Sequence, residues 1–297
     1  NAEMGPTEWM MMLLLSLLWG GSFFFVEIAV HALQPLTPVV MRVGLAAVVL
    51  WAIAILRGIP VPGQMTVWFA FFVMGLMNNV IPFVLIVIGQ KEITSGLAAI
   101  LNATTPLFTV VVAGLLLKDE KATPLKLTGV LVGFTGVIIM IGPTALTGLG
   151  SSLVAQAAIL IAALSYAFAG VYGRRFKVMG IDPIITAAGQ VTASTLVLLP
   201  LALWFEQPFS LPMPDAKVWL SIFGLAVIST AFAYILYFRL LSTAGATNLL
   251  LVTFLIPVTA IALGISILGE ELQLIQLAGM GLIGLGLAVI DGRLFKR

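Results

Sequence analysis

Residues 102–120 read NATTPLFTVVVAGLLLKDE, and residues 253–271 read TFLIPVTAIALGISILGEE. Aligned without a gap at a spacing of 151 residues, Pro106 meets Pro257, Leu117 meets Leu268 and Glu120 meets Glu271. The same spacing pairs Trp68 with Trp219, Phe72 with Phe223, Leu85 with Leu236 and Gly133 with Gly284. Nearer the N-terminus the spacing becomes 145, pairing Phe23 with Phe168, Pro38 with Pro183 and Gly44 with Gly189. The difference falls in a longer loop around Glu206 to Asp215. Self-similarity that keeps Pro, Trp and Gly in register marks a duplicated unit.

Composition gives the class of that unit. The 297 residues are 61% hydrophobic and 9% charged, with no cysteine, and mean hydropathy is +1.18, well outside the range of soluble domains. The apolar runs are continuous and of about 20 residues, which matches a hydrocarbon core ~30 Å thick at helical rise. A membrane barrel would alternate polar and apolar residues instead. We therefore expect an all-α polytopic membrane protein, with ten transmembrane helices near 9–30, 38–56, 66–90, 93–117, 124–141, 152–173, 183–204, 218–241, 246–268 and 274–290. Five spans per half is an odd number, so the halves enter the bilayer upside down to one another. The expected architecture is two five-helix inverted-topology repeats around a central cavity. The expected division is an N-terminal tail (1–8), a first repeat (9–141), a linker (142–151), a second repeat (152–291) and a cytoplasmic tail (292–297).

The basic residues fit this count. With the N-terminus inside, Arg57, Lys118, Lys121, Lys126, Arg174, Arg175, Lys177, Arg239, Arg293, Lys296 and Arg297 are cytoplasmic, whereas only Lys91 and Lys217 face outward. Positive charge stays on the cytoplasmic side, so both termini are expected there.

Polar residues within the spans are the candidates for chemistry. Asn78 and Asn79 lie at the centre of the third helix, and their repeat partners Ser229 and Thr230 lie at the centre of the eighth. Tyr234 follows one turn later, with Tyr237 beyond it; Ser165, Tyr166 and Gln190 add polar groups from helices six and seven. Trp19 sits mid-helix within LWGGS rather than at a helix end, where tryptophan usually stands. Pro106 and Pro257 remove an amide and release the carbonyls of Asn102 and Thr253, so these prolines are candidate hinges facing a polar cavity. Interhelical hydrogen bonding and ordinary packing would account for the same residues without transport. Glu27 and Arg42 are charged within the first two spans at similar depth on the outer side, and are expected to form an ion pair or an external gate. His31 falls in the adjacent loop. Glycines in helices five and ten allow close packing, either mutually or across a dimer.

Nothing in the chain assembles a catalytic set: there is no HExxH, no phosphate loop, and a single histidine. No enzyme activity, cofactor, metal or nucleic-acid partner is expected. No carboxylate occupies a predicted membrane centre, which weighs against tight proton coupling and cationic drugs. A membrane-embedded lipid-modifying enzyme and a channel remain as alternatives.

Several elements together carry a resemblance: LWGGSF from Leu18, Pro38 with Arg42, TSGLAA from Thr94 leading to TPLF from Thr105, and Asp119-Glu120. Residues 9 to 291 resemble two EamA-type domains of the drug/metabolite transporter superfamily, and are similar to its bacterial aromatic and neutral amino-acid exporters. The resemblance implies a ten-helix inner-membrane carrier exporting amino acids or related metabolites by alternating access. Uniport or weak coupling is expected, with a proton-coupled drug or nucleotide-sugar carrier as the other branch. Trp19, Arg42, Pro106 and Glu120 carry over as motif positions. The expected partners are a small-molecule substrate and the lipid bilayer, with monomer or homodimer left open.

Overall fold

The computed structural model describes residues 5–117, 123–141, 151–210, 212–237, 239–240, 243 and 252–291. Among them no strand occurs, and the helices follow the apolar runs: α1 (Pro6–Val30), α2 (Leu36–Leu56), α3 (Met65–Gly89), α4 (Ser95–Leu116), α5 (Pro124–Ile141), α6 (Ser151–Val178), α7 (Pro183–Phe205), α8 (Ala216–Tyr237), α9 (Val252–Leu263, continued by Gly264–Leu268) and α10 (Leu274–Asp291). Seven of these, α1 to α4 and α6 to α8, are long and apolar enough to cross a membrane; the described apolar parts of α5, α9 and α10 are shorter.

Local chemistry sets the ends. Pro6, Pro124 and Pro183 begin helices, where the missing amide costs nothing. Thr94, Asp182 and Asp215 cap by accepting from the amides of Leu97, Ile184 and Val218. Gly58, Gly180 and Gly269 follow α2, α6 and α9 with φ of 64°, 67° and 69°, the left-handed conformation that ends a helix.

Outward faces are apolar: Val48, Leu131 and Leu196 are 68%, 69% and 69% exposed. Water would not support such a surface over the whole girth of a protein, whereas acyl chains would.

The helices interlock by a rule. α1 packs on α8 and α9, as α6 packs on α3 and α4; α2 packs on α8, as α7 packs on α3; and α2–α7, α4–α9 and α5–α10 pack as pairs. Adding five to a helix number, counted round from ten to one, interchanges the first six contacts and returns each of the last three pairs to itself. Small residues permit the closest approaches: a Cβ on Gly20 of α1 would fall 2.6 Å from Thr259 Cβ of α9, and one on Gly129 of α5 would fall 2.6 Å from the Gly286 carbonyl of α10. The glycines of α5 and α10 thus pack mutually, which is the first of the two arrangements expected.

Two expectations about the prolines diverge. α4 is interrupted at Ala103–Thr104 and restarts at Thr105 with Pro106 in its first turn, whereas α9 runs through Pro257. The Asn102 carbonyl accepts from Thr105 Oγ1 at 2.7 Å, so the freed group has a partner within its own helix. The side chain of Thr253, and Glu120 as a whole, lie outside the described residues.

Candidate functional site

The polar pairs sit on matching irregularities. α3 widens to π-helix over Leu76–Val80, which contains Asn78 and Asn79, and α8 does so over Gly224–Phe232, which contains Ser229 and Thr230. Such π segments are frequent at functional sites, although a third, Gly264–Leu268 at the end of α9, holds no polar pair. In α3 a cause is visible in the sequence: Pro82 has no amide to donate, so the Met77 carbonyl lacks a partner in the widened register. Ser165 of α6 supplies one, donating its hydroxyl to Met77 O at 2.7 Å.

From these segments a network crosses between the halves. Asn78 Nδ2 donates to Gln190 Oε1 at 3.0 Å and to the Tyr234 hydroxyl at 3.2 Å. Tyr234 donates to Asn79 Oδ1 at 2.9 Å, and Asn79 Nδ2 donates to Ser194 Oγ at 3.0 Å. Asn79, Gln190, Ser194 and Thr230 are almost fully buried, and in such surroundings an unmade bond costs ~1–3 kcal/mol, so the network fixes how α3, α7 and α8 meet.

Thr230, Tyr234 and Tyr237 follow one another at four and three residues, a spacing that places them on one helical face. Thr230 meets Arg42, Tyr234 meets the two asparagines, and the Tyr237 ring lies 5.6 Å from that of Trp19. One stripe of α8, ~10 Å long at helical rise, therefore gathers Trp19, Arg42, Asn78 and Asn79.

Arg42 is the charged member. Its Nε donates to Thr230 Oγ1 at 2.8 Å, and its Cζ stands 3.7 Å from the centroid of Phe83. Thr230 in turn donates to the Leu225 carbonyl at 2.7 Å, which holds the hydroxyl in place.

The expected Glu27–Arg42 ion pair is not formed. Glu27 instead accepts from Gln90 Nε2 at 3.2 Å and lies 3.3 Å from His31 Nε2, a contact that is an ion pair only when the imidazole is protonated. Equal depth on neighbouring helices brought the two charges level, but they occupy different faces: Glu27 turns to the end of α3 and Arg42 to the middle of α8. Other expected members have other duties. The Ser165 hydroxyl is committed to backbone, Ser229 Oγ and Asn102 Oδ1 are buried without partners among the described residues, and Tyr166 packs against the apolar core.

Sequence reading passed over Ser194, Phe83 and Pro82. Pro82 had a signal, since it follows Asn78 by four residues and frees that stretch of α3. It also passed over two carboxylates that seat helices of the opposite half. Glu206, at the end of α7, accepts from the amides of Leu36 and Thr37 at 2.7 Å each and from Thr37 Oγ1 at 2.6 Å. Glu270, after α9, accepts from the amides of Ser95 and Gly96 at 2.8 and 3.1 Å. Anions are favoured at helix N-termini, and the N-termini here belong to α2 and α4.

A groove of about 460 Å³ lies elsewhere, between α2 and α7, lined by Ala47, Val48, Trp51, Ile55, Thr192 and Leu196. Its walls are mostly apolar, and its lining takes in none of the residues of the network.

Apolar helices with lipid-facing surfaces and a buried polar centre define a polytopic membrane protein. The EamA-like transporter family matches residues 7–142 and again residues 153–291, and the chain belongs to that family. Among its relatives, YedA of Escherichia coli (strain K12), described as an uncharacterized inner membrane transporter, is 29% identical over 274 residues, covering 91% of this chain and 85% of the relative. The uncharacterized transporter YoaV of Bacillus subtilis (strain 168) is 26% identical, covering 92% of each, and protein PecM of Dickeya dadantii (strain 3937) is 25% identical, covering 94% and 91%. A solved crystal structure shares the fold with a TM-score of 0.70 at 18% identity, over 98% of each chain.

Proposed function

We propose that this transporter exports amino acids or related small metabolites across the bacterial inner membrane by alternating access. In this reading α5, α9 and α10 also span, giving ten helices in two inverted five-helix repeats, with both termini cytoplasmic. The observation that carries it is the pairing of π-helical segments: from one half Asn78 and Asn79, and from the other Thr230 with Tyr234 a turn beyond, meet across the seam between the halves. Related halves that exchange places around such a seam provide two access states from one set of contacts.

The chemistry of the seam supports a small, polar, largely neutral cargo. Amides, hydroxyls, phenols and Trp19 offer donors, acceptors and apolar area for varied side chains. Among the described residues the network contains no carboxylate, which favours uniport or weak coupling over proton exchange. An inner-membrane location follows the description of the Escherichia coli relative.

Counterflow in proteoliposomes tests this reading. Purified protein is expected to exchange labelled amino acids in a saturable, protein-dependent manner. Flux of a nucleotide sugar or a cationic dye with none of any amino acid would assign the chain to another branch, and non-saturating flux without counterflow would make it a channel.

A further inference from the structure

The geometry points to Arg42 as the group that binds the carboxylate of the transported molecule, a deeper version of the exporter reading that rests on it for the word transported. Arg42 is only 7% exposed, and a buried charge costs several kcal/mol unless it is paired. What the protein offers is one hydroxyl at Nε and one aromatic face at Phe83. A cation–π contact contributes ~0.5–2 kcal/mol, which does not replace an anion. Among the described residues no carboxylate lies within ion-pair distance of Arg42.

The two terminal amino groups are the informative atoms. Among the described residues neither donates to an acceptor, and neither belongs with the buried polar atoms that lack a partner. They therefore border space that a water-sized group can enter. Thr230 occupies the Nε side and Phe83 covers one face, so the end-on edge, with two parallel N–H groups, is what remains. That edge matches the two oxygens of a carboxylate.

The charge count narrows the ligand further. Other described basic residues stand at helix ends or in loops, among them Arg57, Lys91, Lys126, Arg174 and Lys217. A single guanidinium suits a monoanionic carboxylate better than a doubly charged phosphate. The stripe beyond it, from Tyr234 to Tyr237 and Trp19, would then receive the rest of the molecule.

The test compares matched ligands on the full-length wild-type protein: phenylalanine, phenylalaninamide and phenethylamine, and leucine with leucinamide and isoamylamine. Thermal unfolding in detergent should shift upward with the acids and not with the amides or amines. Arg42→Gln should weaken protection by the acids at least about tenfold, the scale of one lost charge-assisted pair. Arg42→Lys, a point charge without the fork, should fall between. If Arg42→Gln does not fold, the wild-type comparison of acid with amide decides. Equal protection by amide and acid, no protection by either acid, or unchanged affinity in Arg42→Gln overturns the assignment. Counterflow separates the two readings: acids bound but never moved would remove the exporter and leave Arg42 in place, whereas acids moved equally well by Arg42→Gln would do the reverse.

Discussion

Tyr234 donates its hydroxyl to Asn79 Oδ1 at 2.9 Å, and through this bond the widened stretch of α3 is tied to α8 of the opposite half. The same hydroxyl accepts from Asn78 Nδ2 at 3.2 Å, so it holds both asparagines. Tyr234→Phe keeps the ring and removes both bonds. It should lower stability by ~1–3 kcal/mol, the range for leaving a buried acceptor unmade, and lower flux by more than the loss of folded protein explains. Thermal unfolding and counterflow on the same preparation check this; unchanged values in both would take Tyr234 out of the site.

Glu27 and Arg42 do not partner one another, and exchanging them should expose that. The double variant Glu27→Arg with Arg42→Glu should fold no better than the worse single variant, because each charge would arrive among groups chosen for its opposite. Recovery of expression and melting temperature in the exchanged protein would restore the ion pair.

Glu206 seats the start of α2 with three hydrogen bonds. Glu206→Gln retains one acceptor oxygen and turns an amino group toward backbone amides that can only donate. A loss of roughly 1–3 kcal/mol is expected, read as a lower melting temperature, whereas exchange of the exposed Glu92 for Gln should leave it unchanged.

Gly129 and Gly286 bring α5 and α10 together within one chain. A side chain at Gly129 would collide with the Gly286 carbonyl, so Gly129→Val should lower the melting temperature of the protein without changing its oligomeric state. Size-exclusion chromatography with light scattering separates the outcomes; dissociation of a dimer with unaltered stability would move this seam to a subunit interface.

Much of this was legible in the chain. Register of Pro, Trp and Gly disclosed the duplication, and hydropathy placed the helices to within a few residues. The Asn78-Asn79 and Ser229-Thr230 pairs stood out because polar residues at mid-span must find partners. Helical depth could be counted along the sequence, but the direction a side chain takes around its helix depends on neighbours that the count does not reveal. Glu27 and Arg42 were level and faced apart for that reason. The seats made by Glu206 and Glu270 join residues some 170 positions distant, beyond any local pattern. The π segments were half visible: Pro82 predicts a disturbance in α3, while α8 widens with no proline to announce it.

Inversion of the halves is the claim on which the transport reading depends, and repeat-equivalent positions test it most directly. Gln34 and Met179 correspond at the spacing of 145 residues and are both exposed. The chain has no cysteine of its own, so Gln34→Cys and Met179→Cys can be labelled singly with a membrane-impermeant reagent in right-side-out and inverted vesicles. Residue 34 should react only from the outer side and residue 179 only from the cytoplasmic side; labelling of both from one face would mean that the halves are not inverted.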